Sequence, residues 1–146
     1  MSKEIIEKRN IFLDAVANDW KEAISVSGKL LEDSKYITKE YTKEMIQAVE
    51  DIGPYIVVAP YIAFAHSRPS KSVLKTGISI ATLKEPVVFG HEENDPVKII
   101  FGLCATDKTA HIDMLSDLCE FLDDESAVDT ICACKTVDEL YNKINN

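Results

Sequence analysis

The sequence predicts an α/β fold: a single domain over residues 1–146, built as a mixed β-sheet flanked by helices on both faces. Three observations carry that expectation. Helical hydrophobic periods open and close the chain while short β-branched runs occupy its middle, an order that places a sheet between helix layers. One of those runs, Val97–Cys104, is nearly all apolar, as a central strand covered on both faces must be. A chain of 146 residues, 46% of them apolar, can bury a real core and is too apolar to stay disordered.

The elements follow in order. Ile11-Phe12-Leu13 with Ala15-Val16 reads as a short strand. Asp19 starts a helix, with Glu22 as its capping-box partner, and Trp20, Ala23, Ile24, Ser27 and Leu31 recur at helical spacing as its core face. A second helix begins at Thr38; Tyr41, Met45, Val49 and Ile52 form its apolar stripe, and Gly53-Pro54 stops it. Residues 55–59 and Ile62–Ala65 are short strands separated by Pro60. Residues 76–83 form a third, with Gly77-Ile78-Ser79-Ile80 alternating, and 87–89 pair beside it. Val97–Cys104 comes next, and its helix occupies 109–122. Two short helices close the chain, 125–134 and 137–144, the latter behind a Thr136/Glu139 capping box.

Composition excludes several classes. A formal charge of −9 argues against nucleic acid, whose phosphates need basic stripes, and against an anionic membrane surface. It suits plain solubility or a basic partner protein steered by the field. No apolar run approaches a membrane span, and the polar start Ser2-Lys3-Glu4 is not a signal peptide, so a cytoplasmic protein is expected. Cys104, Cys119, Cys132 and Cys134 lack zinc spacing and read as reduced core or helix residues. The three histidines lack ligand spacing as well, so no metal is expected. With no G-x-x-x-x-G-K-[ST] and no serine nucleophile elbow, neither a nucleotide nor any other cofactor is implied.

The candidate chemistry centres on Pro60-Tyr61-Ile62-Ala63-Phe64-Ala65-His66-Ser67-Arg68-Pro69. An apolar run ends on a histidine where the backbone turns toward solvent. His66 is there either a usable nucleophile, neutral near pH 7, or a ring that merely hydrogen-bonds at a strand end. Arg68 is one of only two arginines in the chain, and its planar fork two residues from an imidazole suits phosphate or a partner's carboxylate. Ser67 offers a hydroxyl or a backbone N–H. His111 opens the later helix on the stripe of Met114, Leu115, Leu118, Cys119 and Leu122, so it points at the sheet. The positive helix end there favours an anion and disfavours imidazolium; the alternative is a core histidine satisfied by a carbonyl. His91, before the acidic turn Glu92-Glu93-Asn94-Asp95, reads as a loop residue stabilising that turn or as a rim contact.

Two flanking segments sharpen this: Gly53-Pro54-Tyr55 upstream, and Asn94-Asp95-Pro96-Val97 downstream. With His66-Ser67-Arg68-Pro69 and His111 they occur in an order that resembles the enzyme IIA proteins of the bacterial sugar phosphotransferase system. The branch is the mannitol/fructose-type fold, and the likeness is greatest to the ascorbate-specific members. It covers nearly the whole chain. The resemblance implies a phosphotransferase working through a phosphohistidine: His66 accepts a phosphoryl group from phosphorylated HPr at Nε2 and passes it to a cysteine of the cognate enzyme IIB, for uptake of L-ascorbate or a related pentitol-like sugar. His111, Arg68 and Ser67 would stabilise the phosphoryl group, with the membrane enzyme IIC reached only indirectly. The alternative is a regulatory protein of the same fold whose His66 phosphorylation controls partner binding; a third is a pocket that only binds a small anion. Whether the chain forms a homodimer stays open at the sequence level. Three departures stand out. The family usually has glycine where Tyr61 stands and proline where Ala65 stands. Mannitol-type relatives also carry an arginine near the end of the helix before the G-P-Y block, where this chain reads Ala48-Val49-Glu50-Asp51, which makes Arg68 the candidate substitute.

Overall fold

The computed structural model describes residues 4–145; Ser2 and Lys3 of the polar start lie outside them. A 3-10 turn, Lys8–Asn10, leads into β1 (Ile11–Ala15), α1 (Trp20–Asp33), α2 (Lys39–Ile52), β2 (Val57–Ala59), β3 (Ile62–Ala65), β4 (Gly77–Val87), β5 (Val97–Cys104), α3 (Lys108–Leu122), α4 (Ala127–Ala133) and α5 (Val137–Asn145). The strands form a five-stranded mixed sheet in the order β1-β4-β5-β3-β2. β1 runs parallel to β4 and β3 parallel to β5, while β4–β5 and β2–β3 are antiparallel. No helix among the described residues is long and apolar enough to cross a membrane.

Alternation along the strands sorts the apolar side chains into two cores. Ala63, Ala65, Ala81, Ile100 and Cys104 face α1 and α2, against Ile24, Leu31, Tyr41, Met45 and Val49. Ile62, Phe64, Ile78, Ile80, Ile99, Phe101 and Leu103 face the other way, against Met114, Leu118, Ile131, Leu140 and Ile144 of α3 to α5. This is the two-faced burial expected of Val97–Cys104. Gly102 lets α1 come close: a Cβ there would sit 2.5 Å from Ser79 Oγ and 3.2 Å from Leu31 Cδ1. Because β3 and β5 are parallel neighbours, with Ala65 opposite Gly102, both strands end at the same edge of the sheet.

Several details differ from expectation. The separate strand at 87–89 does not exist; β4 continues through Pro86 to Val87, which pairs with Val97. The register shifts between Thr82 and Val87, so proline's missing N–H breaks no ladder bond there. The strand expected at 55–59 is only Val57–Ala59, because Gly53 and Pro54 hold a turn closed by Tyr55 and Val57 amides. The α1 capping box is offset: Asp19 accepts the Glu22 N–H at 2.9 Å, but the Glu22 carboxylate takes the Asn18 N–H instead. Ile52 leaves the apolar stripe and is 70% exposed, since the last turn of α2 overhangs the core. At the other end of the molecule, Asn145 is buried and clamps the segment before β1, accepting from the Ile5 and Ile6 amides and donating to the Ile6 carbonyl.

The turn between β4 and β5 is organised by two side chains. The Asp95 carboxylate accepts the backbone N–H groups of Phe89, Gly90 and His91 at 2.9, 2.7 and 2.9 Å. His91 Nδ1 accepts those of Glu93 and Asn94 at 3.3 and 3.1 Å, which makes His91 a turn residue.

Candidate active site

β3 is buried through Ala65, and the chain leaves the sheet at His66, which is half-buried. The imidazole Nδ1 lies 2.7 Å from the Phe64 carbonyl oxygen. A carbonyl can only accept, so Nδ1 carries the proton and, in the neutral ring, Nε2 keeps its lone pair. Tyr55 sets the ring from the side: the two rings meet edge-on at 5.4 Å and 82°, and the Tyr55 hydroxyl donates to the His66 carbonyl at 3.3 Å. Burial raises the Tyr55 phenol above its ordinary pKa.

The neighbouring strand delivers the second histidine. After β5, Asp107 caps α3 by accepting the Ala110 N–H at 2.8 Å, which places His111 in the first turn. Its ring centroid lies 5.8 Å from that of His66, tilted by 41°. Burial, and then the positive charge His66 can carry, hold the His111 pKa below its ordinary value. Desolvation and the other imidazole thus act in the same direction as the positive end of α3.

His66, Ser67, Arg68 and His111 thus line one cleft of about 350 Å³, with Ala48, Ile52 and Tyr55 on its other side. Arg68 is exposed in it, and no described carboxylate forms an ion pair with its guanidinium. The backbone N–H of Ser67 is already engaged, donating to the Tyr41 hydroxyl at 2.9 Å, so its side-chain hydroxyl is the group it has left for an anion. His91 does not line this cleft; it borders a separate depression with Pro54, Glu92 and Glu93. A larger groove of about 660 Å³ between β1 and the first helices, flanked by Phe12, Val16 and Leu30, contains no histidine, cysteine or arginine.

The unusual residues before the histidine leave the strand intact. Tyr61 adopts φ +73°, the left-handed conformation that glycine reaches without cost. Its N–H donates to the Asn94 carbonyl, its own carbonyl accepts from Lys98 and Ile99, and Lys98 Nζ sits 4.3 Å above its ring. Ala65 holds its register opposite Gly102. Near the same sheet edge the buried Cys104 thiol donates to the Lys75 and Gly77 carbonyls at 3.3 and 3.5 Å, and burial pushes its pKa up to about 12.

Three groups escaped the sequence reading. The Phe64 carbonyl had no side-chain signal. Tyr55 was visible only as part of the G-P-Y block. Tyr41 looked like an apolar core position, and its hydroxyl had no nearby partner in sequence.

Similarity to known proteins extends over nearly the whole chain. Residues 4–146 match the family described as "Phosphoenolpyruvate-dependent sugar phosphotransferase system, EIIA 2". The ascorbate-specific PTS system EIIA component of Salmonella typhimurium is 37% identical over 142 residues, covering 97% of this chain and 92% of that protein. The mannitol-specific cryptic phosphotransferase enzyme IIA CmtB of Escherichia coli superimposes with a TM-score of 0.85 at 31% identity, over 97% of this chain and 95% of that one. The enzyme IIAMTL in its complex with phosphorylated enzyme IIBMTL, also from Escherichia coli, gives 0.83 at 30% identity, over 95% and 96%.

Proposed function

The chain belongs to the EIIA 2 family of the phosphoenolpyruvate-dependent sugar phosphotransferase system, and from that footing we propose that residues 1–146 act as one cytoplasmic phosphoryl-carrier unit with His66 as its nucleophile. The observation that carries the assignment is the His66 Nδ1–Phe64 carbonyl bond, which leaves Nε2 as the free lone pair of a ring that lines the cleft shared with His111 and Arg68.

The reaction is a double displacement. Phosphorylated HPr docks over the cleft, and His66 Nε2 attacks phosphorus in line with the leaving imidazole of HPr. One P–N bond forms as the other breaks, and the electron pair returns to the donor ring. The Nδ1 proton stays in place, and its bond to the Phe64 carbonyl strengthens as the ring becomes cationic. A cysteine thiolate of the cognate enzyme IIB then attacks the same phosphorus, and the pair returns to Nε2. A neutral His111 can donate a hydrogen bond to a phosphoryl oxygen without adding a repelling charge beside His66. Arg68 supplies the fixed positive charge, and Ser67 its hydroxyl. Catalysis is then mostly positioning and electrostatic stabilisation, as phosphoryl transfer between histidines requires. The exposed Ile52 and Tyr55 at the rim offer apolar contact to a docking protein. The ascorbate-specific relatives point to L-ascorbate as the transported sugar, reached through enzymes IIB and IIC.

Intact mass after incubation with phosphoenolpyruvate, enzyme I and HPr tests this. One acid-labile phosphoryl group, absent from His66→Ala, is expected. Full labelling of the folded His66→Ala protein would overturn the assignment of the nucleophile.

A further inference from the structure

We infer that the buried hydroxyl of Tyr41 is the positioning group that fixes His66, Arg68 and His111 relative to one another. The inference rests on the phosphotransfer reading of the cleft. Tyr41 stands in the first turn of α2 and is 1% exposed, with its ring in the core between α2 and the sheet. Its oxygen accepts the Ser67 N–H at 2.9 Å. Its single proton lies within reach of two carbonyls, Ser67 at 3.0 Å and Leu103 at 3.1 Å.

The placement of those partners gives the hydroxyl its reach. Ser67 separates His66 from Arg68, so holding its peptide groups limits the direction in which both neighbours project. Leu103 is the penultimate residue of β5, the strand that feeds α3 and His111. The paired register of β3 and β5 ends with Ala65 opposite Gly102. The Tyr41 oxygen joins the same two segments just past that pair, where both chains turn into the loops that carry the reactive groups. Burial keeps the phenol protonated by holding its pKa well above the ordinary range, so the bridge persists at any working pH. Positioning of this kind matters because misplacing a reacting group by about 1 Å can cost about 10²-fold in rate.

Tyr41→Phe keeps the ring and removes the bridge. With phosphorylated HPr as donor, the expected result is a fall of about tenfold or more in kcat with KM for HPr changed less than about twofold, because the docking surface is untouched. A second readout separates positioning from general loosening. The His111 titration is followed by NMR with and without His66→Gln, in the wild-type and Tyr41→Phe backgrounds. The coupling between the two imidazoles should shrink when the bridge is gone. A third needs no variant: the Ser67 amide, one residue beyond the half-buried His66 and outside any strand, should resist hydrogen exchange in the wild-type protein. Unchanged kcat, equal coupling in both backgrounds, or an unprotected Ser67 amide would each overturn the inference. Failure of the wild-type protein to accept a phosphoryl group would instead sink the phosphotransfer reading, while the titration cycle and the amide exchange would still decide the role of Tyr41.

Discussion

His66 Nδ1 lies 2.7 Å from the carbonyl oxygen of Phe64, two residues back along the same chain. A carbonyl of β3 therefore selects the tautomer of the residue that follows the strand. Phosphorylation is expected at Nε2, and 15N-resolved NMR of the phosphorylated protein distinguishes the two ring nitrogens directly. A phosphoryl group found on Nδ1 would contradict the arrangement.

His111 faces His66 with the ring centroids 5.8 Å apart. His111→Ala should slow phosphoryl acceptance by about 10- to 100-fold, the loss expected for one donor to a developing charge, yet leave the end point of one phosphoryl group per chain. Rapid-quench kinetics with phosphorylated HPr measure both. A wild-type rate in the folded variant would remove His111 from the reaction.

The same histidine makes stability depend on pH. Its folded pKa lies below the ordinary 6.5, because burial and then His66 disfavour the imidazolium. The unfolded chain consequently binds this proton more readily than the folded one. The associated stability is complete above pH 6.5 and is lost as pH falls through the lowered folded value. Urea midpoints should drop between about pH 7.5 and pH 5.5, and His111→Gln should flatten that slope. An identical slope in the variant would assign the effect elsewhere.

Asp95 accepts three consecutive backbone N–H groups in the turn before β5. Asp95→Ala leaves all three without their acceptor and should cost about 2–4 kcal/mol, given that bonds to a charged group contribute about 1.5–3 kcal/mol each and this turn is partly solvated. Asp95→Asn, which keeps an acceptor oxygen, should cost less. Chemical denaturation ranks the three proteins, and equal stabilities would show that water replaces the carboxylate freely.

Tyr61 occupies a left-handed backbone conformation, stored strain of about 1 kcal/mol for a residue with a Cβ. Tyr61→Gly releases that strain but gives up the contact with Lys98 and frees the unfolded chain, so stability should change by less than about 1 kcal/mol. Tyr61→Val, β-branched at the same φ, should lose about 1–2 kcal/mol. A valine variant as stable as the glycine variant would mean that the turn relaxes to accommodate either.

The sheet between helix layers was legible because the continuous apolar run of Val97–Cys104 differs plainly from the 3.6-residue stripes of α1 and α2. His66 was legible as the polar end of an apolar run, and His111 as a member of a helical stripe aimed at the sheet. Ile52 was misread because a stripe records which face a residue occupies, not whether the helix still lies over the core at that point. The strand at 87–89 was misread because Pro86 looks like a stop, whereas the shifted register of β4 has no bond for it to break. Tyr41 was legible as core but not as a bridge: its hydroxyl partners lie 26 and 62 residues away, a distance that no local pattern encodes.

The state of the Cys104 thiol bears on how long a phosphorylated molecule can wait for its acceptor. A sulfur attacks phosphorus as the thiolate, and a thiol with its pKa pushed up to about 12 is almost never in that form at neutral pH. Both of its carbonyl contacts also engage the proton that would have to leave. Under the proposed mechanism, a high-energy P–N bond at His66 would therefore meet no self-quenching sulfur at the end of β5. Its lifetime is left to water and to whichever thiolate a docked protein brings.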